Sequence, residues 1–190
     1  MTAFPVRKAV RPADLQGIPN GKIPARLLRN ITPSGRLHWQ IAPYWERLVA
    51  LAAEEGLTLV HVGDYRTLAQ QEALFNSRMK LYPNAKTGFD LNGMPRPQTV
   101  RTWKGKKYYL HVGAPVATPA TSNHGDATTI DAALKVGKQV VSITTRPKGC
   151  KRSGLAFLLA VGPSLGWFWE LQSEPWHIRN VFGNKTLALR

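Results

Sequence analysis

Two short segments constrain this chain more than anything else in it: Ser122-Asn123-His124-Gly125-Asp126-Ala127-Thr128-Thr129-Ile130-Asp131 and Ser173-Glu174-Pro175-Trp176-His177-Ile178. The first carries an imidazole and a carboxylate seven residues apart, and the second an imidazole with a carboxylate three residues before it. Two His and one Asp form the donor set of an open, three-ligand zinc site, which leaves Glu174 as a base for water. The fold then has to bring His124, Asp131 and His177 to one point from distant parts of the chain. Strand alternation opposes this inside each segment. An offset of seven sends His124 and Asp131 to opposite faces of a regular strand, so the segment has to bend, and Gly125 offers the place. Glu174 and His177 face the same problem, and Pro175 disfavours a regular ladder, so a turn is expected there.

Each spacing is weak alone, and the neighbouring residues carry the weight. They resemble the zinc peptidases that include D-alanyl-D-alanine carboxypeptidases, D-Ala-D-Ala dipeptidases and the L-alanyl-D-glutamate peptidases of phage endolysins. That family's pattern is Ser-x-His, six residues, Asp, then Glu-x-Trp-His, matched here by Ser122, His124, Asp131, Glu174, Trp176 and His177. Tyr65-Arg66-Thr67, followed by Gln70 and Gln71, is similar to its Tyr-Arg-Ser/Thr segment. The resemblance spans residues 37–181 and implies one zinc ion per chain, held by His124, Asp131 and His177. It further implies Glu174 as the proton shuttle and Arg66 at the developing oxyanion. Substrate contacts are expected from Ser122, Gln71, Tyr65 and Trp176. The chain departs from the family's His-x-x-Gly-x-Ala-x-Asp at Ala127 and Thr129, so the loop is expected to follow a different path. Asp126 is a rival ligand. Asp131 is preferred because the run Thr128 to Asp131 reads as a strand that fixes its side chain. His38, His61 and His111 are left without a site role.

The implied activity is hydrolysis of peptide bonds in peptidoglycan stem peptides. An endolysin cutting the L-Ala-D-Glu bond is the first expectation, and a carboxypeptidase releasing terminal D-Ala the second. A basic wall-binding module without catalysis is the third. The net charge of +15 suits an anionic wall polymer as partner. Specific nucleic-acid binding is not expected, because charge is its only support. No run of 18 apolar residues suggests a membrane span. The first residues, Met1 to Lys8, lack an apolar signal region, so synthesis in a host cytoplasm is expected, with action on the wall. The one cysteine, Cys150, rules out an intramolecular disulfide and a multi-thiolate zinc site. A monomer is expected.

The expected fold class is α+β: a small, mostly antiparallel sheet with helices on one side and the zinc site on strands and loops. Residues 1–36, rich in Pro, Gly and Arg, read as an arm that wraps the domain or stays mobile, and residues 37–190 as the catalytic domain. Helices are expected from Pro43 to Glu55, after the Thr67/Gln70 capping box, and from Gly154 to Val161. Strands are expected at 57–62, 128–134, 139–144, 167–171 and 176–181. A hairpin is expected around Lys104 to Lys107, and a long loop over 80–98.

Overall fold

A computed structural model describes residues 4–8, 10–81 and 99–181. Its elements are β1 (Leu28–Asn30), β2 (Arg36–His38), α1 (Ala42–Glu54), β3 (Leu59–Gly63), α2 (Leu68–Arg78), β4 (Met79–Leu81), β5 (Val100–Trp103) and β6 (Lys106–Leu110), then β7 (Thr129–Val136), β8 (Gln139–Ser142), α3 (Gly154–Val161), β9 (Trp167–Trp169) and β10 (His177–Asn180). The main sheet runs β3-β7-β10-β9, with β8 also on β7, and every ladder in it is antiparallel. A smaller antiparallel sheet has the order β4-β6-β5, and β1 pairs with β2. The architecture is α+β, as the sequence suggests. Most of the expected long loop, residues 82–98, lies outside the described residues.

Local signals account for the helices. Pro43 sits in the first turn of α1, and Gly56 ends it in the left-handed region at φ 77°. Trp45, Leu48 and Ala52 are fully buried, and Val49 packs beside them, as their spacing requires. At α2 the Gln70 N–H donates to Thr67 Oγ1 (3.2 Å), and the Thr67 N–H donates to Gln70 Oε1 (2.8 Å), completing the capping box. Phe75 of α2 packs on Trp103 and Tyr108 of the small sheet. Ser153 caps α3 through the Ala156 N–H.

Alternation along the strands sorts the main sheet into two faces. Ile130, Ala132 and Leu134 of β7, Trp167 and Trp169 of β9 and Ile178 of β10 point into one apolar core with α1 and α3. Each such large side chain contributes about 1.5–3 kcal/mol by leaving water. The residues between them, including Asp131, His177 and Arg179, therefore face the other way. The early chain lies close to that second face, where Leu15 and Ile23 pack with Tyr65 and Ala127.

Candidate metal centre

Register builds the site. On β7 and β10, Asp131 and His177 are direct cross-strand partners, so their side chains meet on the face opposite the core. On the other edge of β7, Gly63 of β3 is also opposite Asp131, just past a bulge that follows His61. The missing side chain at Gly63 makes room: a Cβ there would lie 2.3 Å from Asp131 Oδ2.

His124 arrives from a 3₁₀ turn, Asn123–Asp126, that leads into β7. The sequence predicts the bend at Gly125, and the structure corrects this. Gly125 does not have positive φ; Ala127 makes the bend, in the left-handed region at φ 54°. Gly125 is needed for close approach, since an added Cβ would fall 2.1 Å from Asn20 Oδ1. Ala127 stands where the resembling family carries Gly, and its methyl is fully buried beside Leu15, Ile23 and Tyr65. The turn is held from three sides, by the Gly21 N–H on Gly125 O (2.8 Å), the Arg66 N–H on His124 O (3.1 Å) and the His38 N–H on Ala127 O (2.9 Å).

His124, Asp131 and His177 converge, each offering a ligand atom within 4.8 Å of the others. His124 Nε2 is 3.3 Å from Asp131 Oδ2, and His177 Nδ1 is 2.9 Å from Asp131 Oδ1. A tetrahedral ion with bonds of ~2.0–2.1 Å sets its ligand atoms about 3.4 Å apart, so these residues fit one. Both rings are also oriented from behind. His124 Nδ1 is 2.8 Å from the Asp64 carbonyl oxygen, and His177 Nε2 is 3.3 Å from Glu170 Oε2. Burial opposes ionisation of Asp131, but hydrogen bonds and charge from His124 and His177 outweigh it and hold the carboxyl well below the usual carboxylate range.

Asp126 does not join the cluster; its Oδ1 accepts from Arg11 Nε (3.1 Å) and Asn20 Nδ2 (2.9 Å). Arg66 feels the charge of the cluster: burial lowers its pKa, and the charge of Asp131 is the main force opposing that shift. Its Nη1 donates to Gln71 Oε1 (2.7 Å), and Gln71 Nε2 in turn donates to the Ala117 carbonyl (2.7 Å). Tyr65 is buried, and its hydroxyl accepts from the Ile23 N–H. Ser122 is buried beside His124, and its carbonyl accepts from Asn20. Glu174 and His177 are joined by a turn in which the His177 N–H donates to Glu174 O (3.0 Å), matching the turn expected around Pro175. The Glu174 carboxylate makes no hydrogen bond or ion pair among the described residues. Trp176 is substantially exposed. His38 and His61 are internal, His38 against Asp14 (3.0 Å) and His61 edge-on to Trp45. Cys150 is a free thiol that donates to Gly56 O.

Sequence reasoning missed Gly63, Asn20 and Glu170. Glu170 had a signal: it is the lone charge closing the apolar run Trp167-Phe168-Trp169, whose alternation puts it on the face of His177. Gly63 and Asn20 act through close approach and left no pattern.

Residues 34–183 match the family model described as VanY: D-alanyl-D-alanine carboxypeptidase. Similar solved structures include a VanY D,D-pentapeptidase variant from a VanB-type vancomycin-resistance cassette in complex with Zn(II), at 17% identity over 87% of this chain and 89% of that one, with a TM-score of 0.48. VanYB in complex with D-alanine-D-alanine is 18% identical over 84% and 81%, with a TM-score of 0.48. The LD-carboxypeptidase LdcB is 15% identical over 94% and 72%, with a TM-score of 0.47. No curated protein matches the chain.

Proposed function

Since this chain belongs to the VanY D-alanyl-D-alanine carboxypeptidase family, we propose that it is a zinc-dependent peptidase acting on the stem peptides of peptidoglycan, with His124, Asp131 and His177 as the metal ligands. The convergence of those three side chains is the observation that carries the reading. The donor set is two imidazoles and one carboxylate, the set of catalytic rather than structural zinc. When bound there, zinc supplies Lewis-acid chemistry, acidifying water and polarising a carbonyl.

The chain's own residues do the rest. Glu174, on the turn that leads into His177, takes the proton from water and returns it to the leaving amine. Its carboxylate makes no hydrogen bond or ion pair among the described residues, which leaves it available as a base. Arg66, braced by Gln71, offers its guanidinium to the negative charge that grows on the substrate carbonyl oxygen. Ser122 and Trp176 flank the metal ligands in sequence and supply substrate contacts, with Gln71 and Tyr65 completing the set.

Release of a terminal D-Ala follows the family's description. A second reading, an endolysin-type cut of the L-Ala-D-Glu bond, is favoured by the net charge of +15, which draws the protein to an anionic wall made by another cell. Anionic wall polymers are partners under either reading. Among the described residues no helix is long and apolar enough to cross a membrane.

The test is digestion of purified muropeptides followed by mass spectrometry. Loss of one alanine identifies the carboxypeptidase, and separation of the stem at its first bond identifies the endopeptidase. Either activity stops with a chelator and with Glu174→Ala. Intact muropeptides after prolonged incubation with zinc-loaded protein refute both readings.

A further inference from the structure

We infer that Glu170 is a positioning residue that fixes the tautomer and orientation of His177, presenting Nδ1 to the metal. This rests on the zinc reading above. Three observations carry it, beginning with register: Ile178 is opposite Trp169, so continuing the ladder by one residue sets Glu170 opposite His177. Gly63, Asp131, His177 and Glu170 thus form one row across β3, β7, β10 and the end of β9, on the face away from the core.

Next is the division of the imidazole between two carboxylates. His177 Nδ1 lies 2.9 Å from Asp131 Oδ1, and Nε2 lies 3.3 Å from Glu170 Oε2. A neutral imidazole has one N–H and one lone pair, and an ionised carboxylate only accepts. Without a cation, Asp131 holds a proton on Nδ1. A cation held between Nδ1 and Asp131 requires that proton to leave and Nε2 to carry the N–H, and Glu170 is the carboxylate placed to accept it there. This is how an outer carboxylate orients a metal-binding histidine.

Finally, Glu170 is itself held. The Arg179 guanidinium pairs with its Oε1, and the Asn123 side-chain amide donates to its Oε2. Arg179 is almost completely buried, so its charge requires this carboxylate. Asn123 immediately precedes His124, so one carboxylate ties together the segments that carry both imidazoles.

The experiment compares wild type, Glu170→Gln, Glu170→Ala and the double variant Glu170→Ala/Arg179→Met. Zinc affinity is read by chelator competition, cobalt(II) coordination by its visible spectrum, and the His177 tautomer in zinc-loaded protein by nitrogen NMR. Glu170→Ala is expected to weaken zinc binding about 10- to 100-fold, to change the cobalt spectrum and to mix the tautomers. Glu170→Gln, whose amide oxygen still accepts from Nε2–H, is expected to stay closer to wild type. The double variant removes the buried arginine charge that the alanine alone would orphan, and it is expected to keep the affinity loss. Recovery of wild-type affinity in the double variant would overturn the proposal, since the carboxylate would then serve Arg179 alone. Unchanged affinity and tautomer in Glu170→Ala would overturn it too. A wild type that fails to bind zinc while remaining folded would sink the zinc reading instead.

Discussion

Replacing Gly63 with alanine isolates the geometry of the metal centre from its chemistry. No ligand is removed, and Gly63 lies outside the positive-φ region, so alanine can adopt its backbone. What changes is space. The new methyl would sit 2.3 Å from Asp131 Oδ2, 3.0 Å from its Cγ and 3.1 Å from its Cβ. Carbon and oxygen rest near 3.2–3.5 Å, so the overlap with Oδ2 is about 1 Å, while usable ligand distances tolerate only about 0.2 Å. The carboxylate has to turn away, and β7 resists moving because β3, β10 and β8 all pair with it. An outer-sphere disturbance of this kind weakens metal binding about 10- to 100-fold, or roughly 1.4–2.7 kcal/mol. At saturating zinc the variant's thermal midpoint then rises less than that of wild type, by roughly 3–11 °C in a chain this size. The assay is thermal unfolding with zinc and with chelator, alongside chelator competition. Equal zinc-induced shifts in both proteins would refute the claim that Asp131 is a ligand held in place by the empty space at Gly63.

Gly125→Ala is expected to cost about 1–3 kcal/mol in urea unfolding, because its Cβ would strike the Asn20 amide that bridges Ser122 O and Asp126. An unchanged midpoint would show that Asn20 does not clasp the His124 turn. Ala127→Gly is expected to be within about 0.5 kcal/mol of wild type: relief of the left-handed strain gains ~1–2 kcal/mol, and the lost methyl contact with the freer unfolded chain takes back a similar amount. A large change of either sign breaks that balance. Burial lowers the pKa of His38, against the opposing charge of Asp14, and lowers that of His61, against Asp64. Above the ordinary value of 6.5 both histidines are neutral in both states, and their contribution to stability is intact. As pH falls below that value the unfolded chain binds protons first, so stability declines until pH passes the lowered values. His61→Phe should flatten this decline in chelated protein; an unaltered pH profile of urea midpoints would count against it.

Parts of this fold were legible wherever a local rule decided the outcome. The apolar run of α3 stops at Gly162-Pro163, α2 begins at a complete capping box, and Lys104-Gly105 turns the β5–β6 hairpin. The metal cluster was legible for a different reason: its residue types and order resemble a family, although neither spacing fixes a face. Where the reading slipped, a contact between distant residues decided. Gly125 looked like a hinge because glycine can be one, yet its backbone is ordinary and its worth is the space it leaves for Asn20, more than a hundred positions earlier in the chain.

The row through Gly63, Asp131, His177 and Glu170 shows why such information escapes a linear reading. Alternation along β7 and β10 assigns Asp131 and His177 to the face away from the core, and this follows from Ile130, Ala132 and Ile178 pointing inward. It does not say which residues share a row. That depends on the bulge after His61, which brings Gly63 to Asp131, and on the Ile178–Trp169 pairing, which brings Glu170 to His177. A one-residue slip of β9 against β10 would turn Trp169 toward the site and Glu170 into the core. The buried Trp167 and Trp169 oppose that slip, since it would expose two indoles and bury a carboxylate. The apolar packing that stabilises the sheet thus also sets the register of the polar row, and the metal centre is a consequence of the core behind it.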